Sequence, residues 1–117
     1  TTFRMPGLRF GLVLGTQRLA HRIGNNAARE LLATSRTFDA PDALDLGFIS
    51  RIAPQDEWPA LVEEQRAAAT TLTLPALARM NAQTVIDTRD ADMAALAQSA
   101  SVPGLKERIR IFREAKS

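Results

Sequence analysis

Apolar side chains recur at helical spacing through most of this chain. Between Gly15 and Ile23, Leu19 and Ile23 stand four apart with Arg18 and Arg22 on another face, and Gly24 supplies a stop. Asn25 or Asn26 is placed to cap a second helix over 27–34, which carries Leu31 and Leu32. Phe38-Asp39-Ala40-Pro41 reads as a loop opening a third, short helix, with Asp39 as cap and Pro41 in the first turn, ending at Gly47. Phe48-Ile49-Ser50-Arg51-Ile52 is the clearest strand signal, closed by Pro54, while residues 1–5 are β-favouring but too short to define a strand alone. Long helices are predicted from Asp56 to about Thr71, with Pro59 in the first turn, and from Leu74 to Thr88, with Pro75 at the start. Asp90 caps 91–100, Pro103-Gly104 breaks the chain, and a last helix runs from Leu105 to Lys116. That helix sets Leu105, Ile109 and Phe112 on one stripe and Lys106, Arg110 and Arg113 on another.

Composition narrows this picture. With 117 residues, 45% hydrophobic and 24% charged, the chain has the make-up of one globular domain. It has no Cys and a single His, which excludes disulfides, thiolate chemistry and Cys-ligated metal, so no metal or separate cofactor is expected. Apolar runs fall short of a membrane span and Arg4 and Arg9 interrupt the only candidate signal segment, so a cytoplasmic address is expected. Ala occurs 20 times against five Phe, one Trp and no Tyr, so Ala, Leu and Ile are expected to carry most of the burial. That composition, with Thr1 in first place, suggests a fragment, a processed chain or a piece that leans on a partner.

The net charge of +2 hides blocks: residues 1–36 carry +5, 37–66 carry −5, 67–100 carry −1 and 101–117 carry +3. Basic ends suit phosphate, although sparse aromatics argue against nucleic acid. His21 has no Ser or carboxylate at helical spacing, so a catalytic triad is not expected. The run from Asp87 to Asp92 lacks the glycine of a calcium loop and holds Arg89, so capping explains its acids better. Gly11 and Gly15 flank an apolar turn before a helix without completing a phosphate-loop motif. The residues alone thus show no self-contained active site.

A set of ordered motifs does carry a resemblance. FRMPGLRFG (3–11), GTQRLAHRIG (15–24) and AARELLATSRTFDAPDALDLGFISRIAP (27–54) follow in register the second half of the crotonase superfamily, the enoyl-CoA hydratase/isomerase proteins. The resemblance implies an α/β crotonase-like spiral fold, of which this chain is the helix-rich C-terminal part, mostly α with one or two short strands. It divides a single domain into residues 1–55, the C-terminal part of the crotonase-like core, and residues 56–117, a helical lid and oligomerisation region. The family's acid/base glutamate follows the proline of its P-E motif, and here Gly7 follows Pro6. Glycine moves no proton, so hydration is expected to be poor and a carboxylate restored at position 7 is expected to raise it. The turn between Gly11 and Thr16 is also shorter than in typical hydratases, which alters the acyl pocket.

As implied by the resemblance, Pro6, Gly7, Gly11 and Leu14 wall the substrate pocket, while Lys106, Arg110 and Arg113 either contact the phosphates of coenzyme A, which enters as part of the substrate, or form a solvated helix face. The oxyanion hole that stabilises an enolate of the CoA thioester belongs to the N-terminal half of the fold. The full-length parent is expected to be a lyase or isomerase of fatty acid metabolism, assembled as a homotrimer or hexamer, with this segment inactive alone. The alternative is a non-catalytic scaffolding module that has lost its acid/base. Neither nucleic acid nor membrane is expected as a partner.

Overall fold

The computed structural model describes residues 1–115, so the Lys116 end expected for the last helix lies outside the described residues. Two compact units form: Thr1–Ser50 with Thr88–Ser117, and Arg51–Asp87. The residues expected as the second part of the chain, 56–117, are distributed over both.

In the first unit, β1 (Thr2–Phe3) pairs antiparallel with β2 (Phe38–Asp39), Thr2 opposite Asp39 and Phe3 opposite Phe38. Between them run a single 3-10 turn (Gly7–Phe10) and the helices α1 (Thr16–Ile23) and α2 (Asn25–Thr34). Helix α3 (Ala40–Asp45) follows β2 directly, and Asp39 caps it as expected by accepting the Asp42 N–H at 3.0 Å. The second helix begins at Asn25 rather than Ala27, with Gly24 at its cap and no side-chain bond there, so neither asparagine serves as the cap.

The strand expected at Phe48–Ile52 does not form. Gly47 adopts φ 77°, a left-handed turn that bends the chain back so that the N–H groups of Phe48 and Ile49 both donate to the Ala43 carbonyl. Those donors close the end of α3 and are lost to any ladder. The paired strands instead form where the sequence suggested a loop and a segment too short to judge.

The core gathers Leu19, Ala28, Leu31, Leu32, Phe38 and Ala43, with Phe3, Ile23, Phe48 and others packed around it. The few aromatics are concentrated here: the Phe3, Phe38 and Phe48 rings meet pairwise at centroid distances of 5.3, 5.1 and 5.5 Å. Such pairs add about 0.5–1.5 kcal/mol each beyond burial, which offsets the aromatic-poor composition. No isoleucine is fully buried among the described residues.

The same unit carries α6 (Arg89–Ser101) and α7 (Leu105–Glu114). Helix α6 starts at Arg89, so Asp90 sits inside the first turn rather than at the cap. Thr88 donates its hydroxyl to Asp92 Oδ2 at 2.7 Å. In the second unit, a 3-10 turn (Gln55–Glu57) leads into α4 (Trp58–Thr70), and Thr73 caps α5 (Leu74–Thr84) by accepting the Ala76 N–H at 3.2 Å. The expected extension of α5 to Thr88 stops at Val85, whose backbone turns extended. Neither helix of this unit has a buried residue.

Candidate functional site

The segment after β1 is the part of the chain richest in glycine and short of regular structure, and it forms one wall of a cavity of about 640 Å³. Pro6, Gly7 and Leu14 line this cavity beside Met5, Leu8 and Leu12, and α6 closes it with Arg89, Asp92, Met93 and Leu96. Three of the four pocket residues expected from the sequence therefore meet. Gly11 is not among the lining residues: it takes φ 82° to end the 3-10 turn, and a Cβ built there would lie 3.3 Å from Arg108 Nε.

Position 7 is tightly enclosed. A Cβ on Gly7 would lie 2.9 Å from the Leu12 carbonyl oxygen, and that loop is closed by the Leu12 N–H donating to the Gly7 carbonyl at 2.9 Å. Any larger residue forces backbone to move, so a glutamate cannot be restored here without reshaping the wall. The simple restoration expected from the sequence is corrected on this point.

Long-range contacts hold the wall to the C-terminal helices. Val13 N–H donates to Ser99 Oγ at 2.9 Å, Arg108 Nε donates to the Phe10 carbonyl at 2.9 Å, and Phe10 meets the Phe112 ring edge-on at 5.3 Å. Arg108 also donates to the Pro103 carbonyl at 2.7 Å, so one guanidinium joins the wall to the start of α7. Arg18 Nε reaches Asp92 Oδ2 at 3.1 Å, linking α1 to α6.

Two polar features escaped the sequence reading. Arg4 and Asp92 both line the cavity, yet Asp92 looked like a helix-start acid and Arg4 like part of a basic block. Only the pairing of β1 with β2 places Arg4 beside Ser35, so no local pattern could have found it. Thr16 Oγ1 is buried at the start of α1 with no hydrogen-bond partner among the described residues.

Lys106, Arg110 and Arg113 are brought together, with Ile109 and Glu114, around a separate hollow of about 410 Å³. Arg110 is heavily engaged: Nη1 donates to both Glu114 oxygens at 2.6 and 2.7 Å, Nε donates to Glu107 Oε2 at 2.9 Å, and Nη2 donates to Glu107 Oε1. The Arg110 hydrogen bond holds the Glu107 carboxyl below its usual range, and Glu107, then Glu114, raises Arg110. Among the described residues, no group of three or more His, Asp or Glu could hold a metal ion, and no helix is long and apolar enough to cross a membrane.

These elements define a crotonase-type fold seen over its helix-rich C-terminal part. A homologue from Bordetella parapertussis, described as an enoyl-CoA hydratase/isomerase, superposes with a TM-score of 0.87 at 46% identity, covering 95% of this chain and 46% of its own. A protein of the same description from Pseudoalteromonas atlantica shares the fold at a TM-score of 0.71 and 22% identity, over 98% of this chain and 50% of its own. The family profile for enoyl-CoA hydratase/isomerase matches residues 1–114, and the chain belongs to that family. The probable enoyl-CoA hydratase echA8 of Mycobacterium tuberculosis and that of Mycobacterium bovis are each 35% identical over 116 residues, 97% of this chain. The chain spans 42% of the length of these curated relatives.

Proposed function

We propose that this chain is part of an acyl-CoA-binding protein of the enoyl-CoA hydratase/isomerase type, in which Pro6, Gly7 and Leu14 wall the acyl pocket. The observation that carries this reading is the 640 Å³ cavity, bordered mainly by apolar side chains and walled by the segment that bears the first of the resembling motifs. Chemistry on the thioester would use an oxyanion hole from the part of the fold outside this chain, stabilising the enolate through backbone N–H groups. Coenzyme A enters as part of the substrate, and Lys106, Arg110 and Arg113 are the cations proposed to meet its phosphates. The Glu107 and Glu114 contacts of Arg110 must loosen for that residue to take part. A homotrimer or hexamer working in the cytoplasm on fatty acyl groups completes the proposal.

Gly7 favours a second reading, a scaffolding module without catalysis, because the pocket wall lacks the family's acid/base at that position. One experiment separates the two. Butyryl-CoA is titrated into the full-length protein and then followed in deuterated water for exchange at the carbon beside the thioester. Binding with exchange supports the enzyme, and binding without exchange supports the module. Absence of binding overturns both.

A further inference from the structure

Resting on the acyl-CoA reading above, we infer that Arg4 makes this pocket selective for an acyl group that carries a carboxylate of its own. Arg4 leaves β1 half-buried and borders the cavity. Its Nε donates to the Ser35 carbonyl at 2.6 Å and to Ser35 Oγ at 3.2 Å, and its guanidinium carbon lies 5.4 Å over the Phe112 ring. Ser35 is itself buried and held at φ 53°, a left-handed conformation that costs a non-glycine residue about 1–2 kcal/mol. One edge of the guanidinium is thus fixed by a rigid anchor and its face by an aromatic ring.

The two terminal nitrogens have no acceptor, and no carboxylate pairs with Arg4, among the described residues. Asp92, the one acid bordering the cavity, is engaged with Arg18 and Thr88 through Oδ2. In the family pattern a glutamate stands where this chain has Gly7, so this wall contributes a cation to the cavity and no anion. A partly desolvated guanidinium gains from an anionic partner, and an immobilised planar fork favours a carboxylate bound through two oxygens. The ligand is the group that can bring it.

The test compares butyryl-CoA with succinyl-CoA, two four-carbon thioesters differing in a terminal carboxylate, by calorimetric titration into the full-length protein. Wild type is expected to bind succinyl-CoA at least about tenfold more tightly, the scale of one charge-assisted contact. Arg4→Gln should abolish that preference by weakening succinyl-CoA far more than butyryl-CoA, and Arg4→Lys should keep part of it. Equal affinities in wild type would overturn the inference whatever the variants do. Free coenzyme A weakened by Arg4→Gln as much as succinyl-CoA would also overturn it, by assigning Arg4 to a phosphate. Failure of both thioesters to bind would instead overturn the acyl-CoA reading on which it rests.

Discussion

The two units of this chain keep their apolar side chains in opposite places. In Thr1–Ser50 with Thr88–Ser117, Phe38, Leu31 and Ala43 are sealed from water, and distant segments are bonded together around a cavity. In Arg51–Asp87 nothing is buried: Leu74 is 82% exposed, Val62 68% and Ile86 64%. Both regions are helical and both have well-formed caps, so helix formation alone does not decide which becomes a core. What separates them is a second layer. Paired strands and three phenylalanines give the first a surface to fold onto, while α4 and α5 bring one without a buried counterpart. A face of that kind gains by being covered.

The largest expected effect concerns that face. The chain studied alone should associate or behave as a molten species, and a monomeric mass with one sharp unfolding transition in sedimentation and calorimetry would break the comparison. Next, Phe38→Ala should cost about 3–5 kcal/mol and Leu74→Ala less than about 0.5, read from urea midpoints at fixed protein concentration. Similar losses at both sites would mean that the second region has a core after all. Gly7→Ala should cost about 1–3 kcal/mol, since its methyl group meets the Leu12 carbonyl oxygen at 2.9 Å; a neutral result in the same assay would mean that the wall yields easily.

The caps sharpen the contrast at about 1 kcal/mol. Asp39→Ala should shift the global unfolding midpoint, whereas Thr73→Ala should lower only the local hydrogen-exchange protection of α5. The smallest effect is electrostatic and of the same kind in both regions. Arg110 and Arg66 hold Glu107 and Glu63 below the ordinary value of 4.5, so each pair stabilises the fold above that pH. That contribution fades as pH falls through the lowered values of the folded carboxyls. Both carboxylates are exposed, so Glu107→Gln and Glu63→Gln should barely alter the melting temperature at pH 7 and should alter it less still as the pH falls below the lowered values.

Helix positions were legible because their signals are local: Gly24, Asp39, Pro59 and Pro75 stand where the chain starts or stops helices. The strand at Phe48–Ile52 was misread because β-branched residues report a preference for a ladder, not the presence of a partner. Motif order picked out Pro6, Gly7, Gly11 and Leu14, and all but Gly11 border one cavity. Arg4, Asp92, Ser99 and Arg108 were not legible as a group, because their partners lie between 31 and 98 residues away. Such pairings are decided by topology.

The bonds from Val13 to Ser99 and from Arg108 to Phe10 join residues 86 and 98 positions apart. During synthesis, the loop that shapes the cavity leaves the ribosome long before the helices that secure it. The core around Leu31 and Phe38 can condense early, but the loop lacks these anchors until α6 and α7 emerge. Deleting α6 and α7 therefore removes one side of the cavity and the anchors of the other while leaving the contacts around Leu31 and Phe38 in place, so the cavity depends on chain made well after the core.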